Sequence, residues 1–500
     1  MDGTTNGITG DNPSQHSGPP AGLNRTHPLT AVDQSAPRQY IRWMYIFDFP
    51  DTSELPIREA IDSIQRGVEY ALRHYPFLAG KLGVLPDSVD ENLQLYYGDT
   101  IDSEKVKEIF KYKLYEDDWD NYENLCSHYM PVCHFKPEEF CAAPLNPDPS
   151  LWQPVFTLQA NFLQSGGLVL CFAFHHSVTD DWSIANFLKI FCQGIQRLEE
   201  PPSEYQAPDI SEYISPGDVG DLQDFPEWTV CNSVTNGITA HEDRPSNYIF
   251  VMDWARAVEW TGKLIHHLRQ NQIYDYVRIV DCLVGIIWTE IVRAGQIDAV
   301  APNRESRLHI ELNVRDELLP SLDHSYFGNM SAASVVLIRN GDEIMATSGD
   351  DEYFFEESIE LFSLAAMYTR RAIEAMNDTY VRHRLTYLNS LRTPMEIQEI
   401  AEDALHCCKS GTRLIDVGVG ADISFGIPGT GSEPDDGRAK FIRRPWMNDP
   451  HGEISVVPRQ TGDEADWEFQ VCLQEWQIES AVPLLKCWGF KAIKDGGDQA

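Results

Sequence analysis

The sequence predicts an α/β protein of two similar lobes, each a mixed β-sheet flanked by helices, and three observations carry that prediction. The chain has 500 residues, whereas single hydrophobic cores stop growing near about 250–300 residues. Strand-like apolar runs alternate with amphipathic helical runs along most of it, which favours α/β layers over bundles or sandwiches. The strand-then-helix order that opens near residue 40 recurs near residue 247, after a Pro-, Asp- and Glu-rich stretch at 199–245.

The elements follow in order. Residues 1–37 begin "MDGTTNGITGDNPSQHSGPPAGLNRTHPLT", with little to bury, and predict a disordered tail. Order is expected from residue 38, where "YIRWMYIFDF" is aromatic and β-branched, hence a strand. The next stretch sets Ile57, Ala60, Ile61, Ile64, Val68 and Leu72 at helical spacing until Pro76 ends the run. "FLAGKLGVLPDS" then turns at glycine into another strand, and residues 100–150 are acidic with little periodicity. "PVFTLQANFLQSGGLVLCFAFHH" reads as two strands joined by Ser-Gly-Gly, and "DDWSIANFLKIFCQGIQRL" as an amphipathic helix.

The first lobe is therefore 38–200, a crossover linker 201–245, and the second lobe 246–500. That lobe repeats a strand ("NYIFVMDW") and a helix ("ARAVEWTGKLIHHLRQ"), then adds the buried helix "VDCLVGIIWTEIVRAG" and the strands "RLHIELNVRDEL" and "SAASVVLIR". One long helix is expected over 358–388, followed by strands in "EISVVPRQ" and "WEFQVCLQ" and a last helix "ESAVPLLKCW".

With 77 acidic against 39 basic residues, the net charge is −38. Such a surface repels nucleic acid and anionic lipid, so neither is an expected partner. An anionic ligand would need a local basic patch. The eleven cysteines form no C-x-x-C pair and several lie in apolar runs; buried free thiols in a reducing compartment are the expectation, and no metal site is. No run approaches the roughly 18–20 apolar residues of a membrane span, and no signal-peptide layout opens the chain, so a cytoplasmic protein is expected.

Chemistry concentrates at "HHSVTDD", residues 175–181. His176 follows an apolar strand at its C-terminal edge, a common place for active sites in α/β folds. Asp180 and Asp181 stand where a helix begins, and carboxylates there are favoured by the unpaired N–H groups. Two readings are open from these residues alone: a turn histidine with helix-capping carboxylates, or a general base acting directly on a substrate hydroxyl or amine, since no G-x-S-x-G context accompanies it.

The same residues resemble H-H-x-x-x-D, the signature of the BAHD superfamily of CoA-dependent acyltransferases, whose fungal branch includes trichothecene-type O-acetyltransferases. "YPFLAGKL" (75–82), "LNVRDELLPSLDHSYFGNM" (312–330), "DISFG" (422–426) and "KFIRRPW" resemble further family segments in the expected order. The resemblance spans roughly residues 38–490. Three departures accompany it: Asp181 for the glycine after the motif, Asn313 for the first aspartate of Asp-x-Arg, and the shortened "DISFG".

The resemblance implies a chloramphenicol acetyltransferase-like fold with a tunnel between the lobes. It implies acyl-CoA, acetyl-CoA foremost, as co-substrate, a small hydroxylated metabolite as acceptor, no bound cofactor, and a monomer. His176 becomes the catalytic base, and Asp180 pairs with Arg315 to hold its loop. Asn329, Tyr326 and His175 are candidate substrate or tunnel residues. Arg438, Lys440, Arg443 and Arg444 are candidates for the CoA phosphates, against the plainer reading of a solvated strand edge, and Arg370 and Arg371 share that ambiguity. Asp422 and Gly426 are taken as architectural. Competing readings are a condensation-type enzyme using carrier-protein thioesters, and a metabolite-binding protein or cyclase that keeps the fold without acyl transfer. His266-His267 in a helical run and "HCCKSG" (406–411) are set aside as non-functional.

Overall fold

The computed structural model describes residues 18–494 apart from 86, 87, 89, 90, 116–120, 198–202, 215–218, 231–244, 274, 297–304, 340–350, 392–396, 400–410, 417–422, 432–436, 446–451 and 458–464. The first half runs β1 (Arg25–His27), α1 (Ala31–Ser35), β2 (Tyr40–Asp48), α2 (Glu54–His74), β3 (Lys81–Val84), β4 (Leu93–Tyr97), α3 (Ser103–Ile109), β5 (Phe110–Tyr115), α4 (Tyr122–Ser127), α5 (Pro137–Phe140), β6 (Gln153–Pro154), β7 (Phe156–Leu163), β8 (Gly167–His175) and α6 (Asp181–Ile195). The second runs β9 (Trp228–Val230), β10 (Pro245–Met252), α7 (Trp254–Gln270), α8 (Ile279–Gln296), β11 (Glu305–Asn313), β12 (Ser331–Arg339), α9 (Asp351–Ala375), α10 (Asp378–Ser390), β13 (Ile397–Glu399), β14 (Gly411–Asp416), β15 (Phe441–Arg443), β16 (Glu453–Val457), β17 (Trp467–Gln474), α11 (Glu475–Cys487) and β18 (Lys491–Lys494).

Two large mixed sheets organise the lobes. The first has five strands in the order β15-β2-β8-β7-β5, the second seven in the order β12-β11-β14-β16-β17-β10-β18. Every residue of β7 and β8 is buried, because their alternating side chains feed two different cores. Leu168, Leu170, Phe172 and Phe174 pack under α2 and α6 with Ile64, Val68, Phe187 and Phe191. Val169, Cys171 and Ala173 face the other way, against Tyr122, Phe135 and Phe140. That double burial is why the strand reads as a continuous apolar run. In the second lobe Phe250, Phe469 and Val471 pack on Trp260, Trp288 and Leu485 from α7, α8 and α11.

The structure corrects three expectations. The N-terminal segment is ordered from residue 18 rather than 38: β1 pairs with β4, His27 stacks on Phe77 at 3.9 Å, and Thr30 and Asp33 form a capping box. Its polar side chains are satisfied by residues remote in sequence, which composition does not register. The described part of the linker also packs, with Tyr213, Phe225 and Trp228 in a core beside Leu318, Tyr326 and Leu385. Buried Glu227 accepts from the Tyr380 hydroxyl at 2.7 Å and meets Arg384 at 3.3 Å. The long helix is two helices, because Asn377 takes an extended conformation and caps the second by accepting from the Tyr380 N–H at 3.1 Å.

The third correction concerns the lobe boundary. Residues 423–431 and 437–443 belong to the first lobe although they come from the second half. Phe425 is buried against Tyr45, Phe47 and Phe191, and β15 pairs antiparallel with β2. The altered "DISFG" stretch is therefore part of a crossing arm. Gly426 takes a left-handed φ of 65° there, where a Cβ would press on Gln196; Asp422 lies outside the described residues.

Among the described cysteines, Cys126, Cys141, Cys171, Cys192, Cys282 and Cys487 are free thiols, and all of these but Cys126 and Cys487 are buried. Among the described residues no helix is long and apolar enough to cross a membrane.

Candidate active site

Strand β8 ends at His175, a short 3₁₀ turn carries His176–Val178, and Asp180 caps α6. The adjacent histidines have opposite fates. His175 is buried against Tyr40, and its Nδ1 accepts from the Ser177 N–H at 3.3 Å. Burial, with the nearby His176 and Arg38, pushes its pKa down to about 3, so it stays neutral near pH 7 inside the wall. His176 keeps partial solvent exposure. Its Nδ1 lies 3.1 Å from the Thr179 carbonyl oxygen. A carbonyl only accepts, so Nδ1 carries the proton and the Nε2 lone pair is left free. The backbone is held as well: the His176 N–H donates to Gln39 O at 2.8 Å, and its carbonyl accepts from Asn329 Nδ2 at 2.7 Å.

Asp180 faces the other lobe. Arg315 donates to it from both terminal nitrogens, and the Ser183 and Met330 N–H groups donate at 2.9 and 2.8 Å. Burial alone would raise this carboxyl, but the Arg315 guanidinium and the backbone donors outweigh it and hold the group below its ordinary range. Arg315, itself fully buried, also reaches Gly328 O at 2.8 Å, Asn313 Oδ1 at 2.9 Å and Ser183 Oγ at 3.1 Å. Asn313 thus supplies a side-chain oxygen where the family pattern has aspartate.

Asn329 and Tyr326 form wall, not an open substrate surface. Asn329 is 1% exposed, with both amide hydrogens bound to Asp33 Oδ1 and the His176 carbonyl. Tyr326 lies under the Arg315 guanidinium, 5.5 Å from its ring centre, and its hydroxyl comes within 2.7 Å of where a Cβ on Gly328 would stand. Only glycine fits there.

The four basic candidates separate by their partners. Arg443 is 1% exposed and paired with Glu468 at 2.7 Å, which removes it from any phosphate role. Arg444 pairs with Glu453 and stacks over Trp43 at 5.3 Å. Lys440 is half-exposed and bound to Asp48 at 3.0 Å, and Arg438 is exposed. Arg370 is sequestered with Asp281 at 2.7 Å and Arg371 pairs with Asp275 at 2.6 Å. His266 and His267 lie along α7 and bond to Gln270 and Asn271, while most of "HCCKSG" falls outside the described residues. Among the described residues no group of His, Cys, Asp or Glu is arranged to hold a metal.

Sequence reasoning missed Asp33, Gln39, Trp43 and Ser183. Of these only Asp33 left a local signal, since Thr30-x-x-Asp33 is a capping-box pattern. Trp43 donates to Asp181 Oδ1 at 2.9 Å, which gives the extra carboxylate after the motif a definite partner.

Comparison with known proteins places this geometry. A model of the Transferase family matches residues 135–482, and one of the trichothecene 3-O-acetyltransferase-like N-terminal domain matches residues 39–194. Fumigaclavine B O-acetyltransferase easN of Aspergillus fumigatus is 28% identical, over 93% of this chain and 97% of that protein. The O-acetyltransferase ptmV of Penicillium ochrochloron is 21% identical, over 91% of this chain and 94% of that one. Among solved structures, F. graminearum TRI101 complexed with coenzyme A and T-2 mycotoxin superposes with a TM-score of 0.72 at 15% identity, covering 94% of this chain and 100% of that one. Vinorine synthase superposes with a TM-score of 0.57 at 14% identity, over 94% and 96% of the two chains. With most of its length matched, and with a partly exposed His176, a lobe-bridging Asp180–Arg315 pair and two mixed sheets where the pattern requires them, the chain belongs to the Transferase family, the BAHD acyltransferases.

Proposed function

We propose that the protein is an acyl-CoA-dependent O-acyltransferase, using acetyl-CoA, that acylates a hydroxyl of a small secondary metabolite with His176 as its general base. The observation that carries the reading is the state of the His176 ring: partly exposed, with Nδ1–H spent on the Thr179 carbonyl and Nε2 open. In the proposed step the acceptor O–H gives its proton to Nε2 while its oxygen attacks the thioester carbonyl. The tetrahedral intermediate collapses, the C–S bond breaks, and the leaving CoA sulfur takes the proton back from Nε2. No covalent acyl-enzyme is needed. Positioned proton transfer of this kind contributes roughly 10²–10⁴-fold. The O-acetyltransferase activities of the relatives ptmV and easN support hydroxyl acetylation, and the coenzyme A in the TRI101 crystals supports the donor. The reading takes the enzyme as a cytosolic monomer, in keeping with its free thiols.

The test is thiol release from acetyl-CoA across a panel of hydroxylated terpenoid, polyketide and alkaloid acceptors, with His176→Ala beside wild type. Acceptor-dependent release that falls by about 10²–10⁴ in the variant is the expected result. Release that survives the substitution removes His176 from the role. If no acceptor gives release and calorimetry detects no CoA binding, the transferase reading falls in favour of a binding protein or cyclase.

A further inference from the structure

The N-terminal segment reaches the candidate base. Asp33 is buried in α1, and its carboxylate is fully engaged. Oδ2 accepts from the N–H and the hydroxyl of Thr30, both at 2.8 Å, and Oδ1 accepts from the N–H and Nδ2 of Asn329, both at 2.9 Å. The other Nδ2 hydrogen of Asn329 goes to the His176 carbonyl at 2.7 Å. These two acceptors dictate the orientation of the amide, since a flipped Oδ1 would face two oxygens. That orientation leaves Asn329 Oδ1 buried without a partner. An orphaned acceptor is unfavourable, so the contact made by Nδ2 is what the site keeps.

Helix α1 is itself anchored. Gln34 exchanges two hydrogen bonds with the backbone of Leu93, at 3.0 and 2.9 Å. Val32 packs in the core that holds Tyr326 and Met330, and α1 packs against the turn at His176–Val178. A capping role explains the Thr30 contacts of Asp33 but not those to Asn329, which lies almost three hundred residues away in the other lobe.

We infer that Asp33 is a positioning residue for His176: its carboxylate orients the Asn329 amide, which holds the His176 carbonyl and so keeps the imidazole in its proton-accepting pose. The inference rests on His176 being the base, and it gives the N-terminal segment a part in the acyl-transfer reaction.

The experiment compares Asp33→Ala, Asn329→Ala and the double variant with Arg25→Ala, which removes the pairing of Arg25 with Glu204 on the same segment without touching Asp33. Turnover is read as kcat and KM for acetyl-CoA. The tautomer of His176 is read separately from ring ¹⁵N shifts in ¹⁵N-histidine-labelled protein, the signal being assigned by its loss in His176→Ala. Asp33→Ala should lower kcat by about 10–100-fold, the size expected of a misplaced catalytic group, with KM nearly unchanged. The double variant should be no worse than the poorer single one, and the Nδ1–H tautomer should give way to a mixture. Arg25→Ala should lower Tm and leave both readouts alone. An unchanged tautomer in Asp33→Ala overturns the inference, as do additive losses in kcat. If wild type shows no acceptor-dependent turnover, the proposed function fails, while the ¹⁵N shifts still decide whether Asp33 positions the ring.

Discussion

Arg315 meets Asp180 end to end, with Nη1 2.8 Å from Oδ2 and Nη2 3.0 Å from Oδ1. One residue comes from each lobe, and the carboxylate of the motif makes its hydrogen bonds to Arg315, Ser183 and Met330 rather than to the imidazole. Asp180 therefore clasps the lobes and shapes the loop that follows His176, and it is not a proton relay.

Breaking that clasp should cost both stability and turnover. Asp180→Ala leaves a buried guanidinium unpaired, and the expected loss is about 3–5 kcal/mol, measured by urea denaturation. Arg315→Lys should fare little better, because an ammonium cannot donate in parallel to both oxygens. The folded-state pKa of Asp180 is depressed, so its contribution is present above the ordinary 3.8 and is lost as pH falls through the lower folded value. Asp180→Ala should flatten that acid limb.

His175 makes the fold sensitive to mild acid. Its pKa falls from 6.5 to about 3 on burial, so the unfolded chain binds a proton in that window that the folded one refuses. Stability is then complete above pH 6.5 and declines steadily toward pH 3. Urea midpoints at pH 7 and pH 5 should differ less in His175→Phe than in wild type.

Asp181 should behave in the opposite sense. Burial raises its carboxyl, with the Arg444 charge and the Trp43 N–H opposing, so its contribution is full below the ordinary 3.8 and is lost as pH rises through the raised folded value. Asp181→Asn keeps an oxygen for Trp43 and removes the charge. Its Tm should exceed wild type at pH 8, and the difference should vanish near pH 3, where both are neutral. A variant less stable than wild type at pH 8 would contradict this account.

The basic candidates should separate by phenotype. Arg443→Met removes the buried ion pair with Glu468 and the hydrogen bonds to the Tyr129 and Met130 carbonyls, and should lower stability by about 3–5 kcal/mol. Exposed Arg438→Ala should leave Tm within about 0.5 kcal/mol-equivalent of wild type, and any effect should fall on KM for acyl-CoA. Thermal melts paired with steady-state kinetics check both.

Much of the fold was legible in the sequence because periodicity reports burial directly. β2, β7, β8, α2, α6 and the strand–helix opening of the second half lie where their apolar spacing placed them. His176 and Asp180 were legible through a short-range motif whose spacing follows from a strand, a tight turn and a helix start, whereas Arg315 was reached only through the family resemblance of "LNVRDEL". The arm at 423–443 was not, because nothing local in "KFIRRPW" shows that its strand completes a sheet formed some four hundred residues earlier. Asn377 broke a helix that apolar spacing alone would have continued.

The sequence by itself determined two α/β halves, an acidic surface, and a histidine at the end of a buried strand with a carboxylate at the following helix start. Only the tertiary structure decided which neighbours those groups meet. It made His175 a neutral wall residue, sent Arg443 to Glu468, and brought Asp33 from an unremarkable polar segment to Asn329 and the backbone of His176. The physical reason is range: apolar periodicity is written in adjacent turns of the chain, whereas a buried polar group is stabilised by partners that only the closed fold brings within hydrogen-bonding distance.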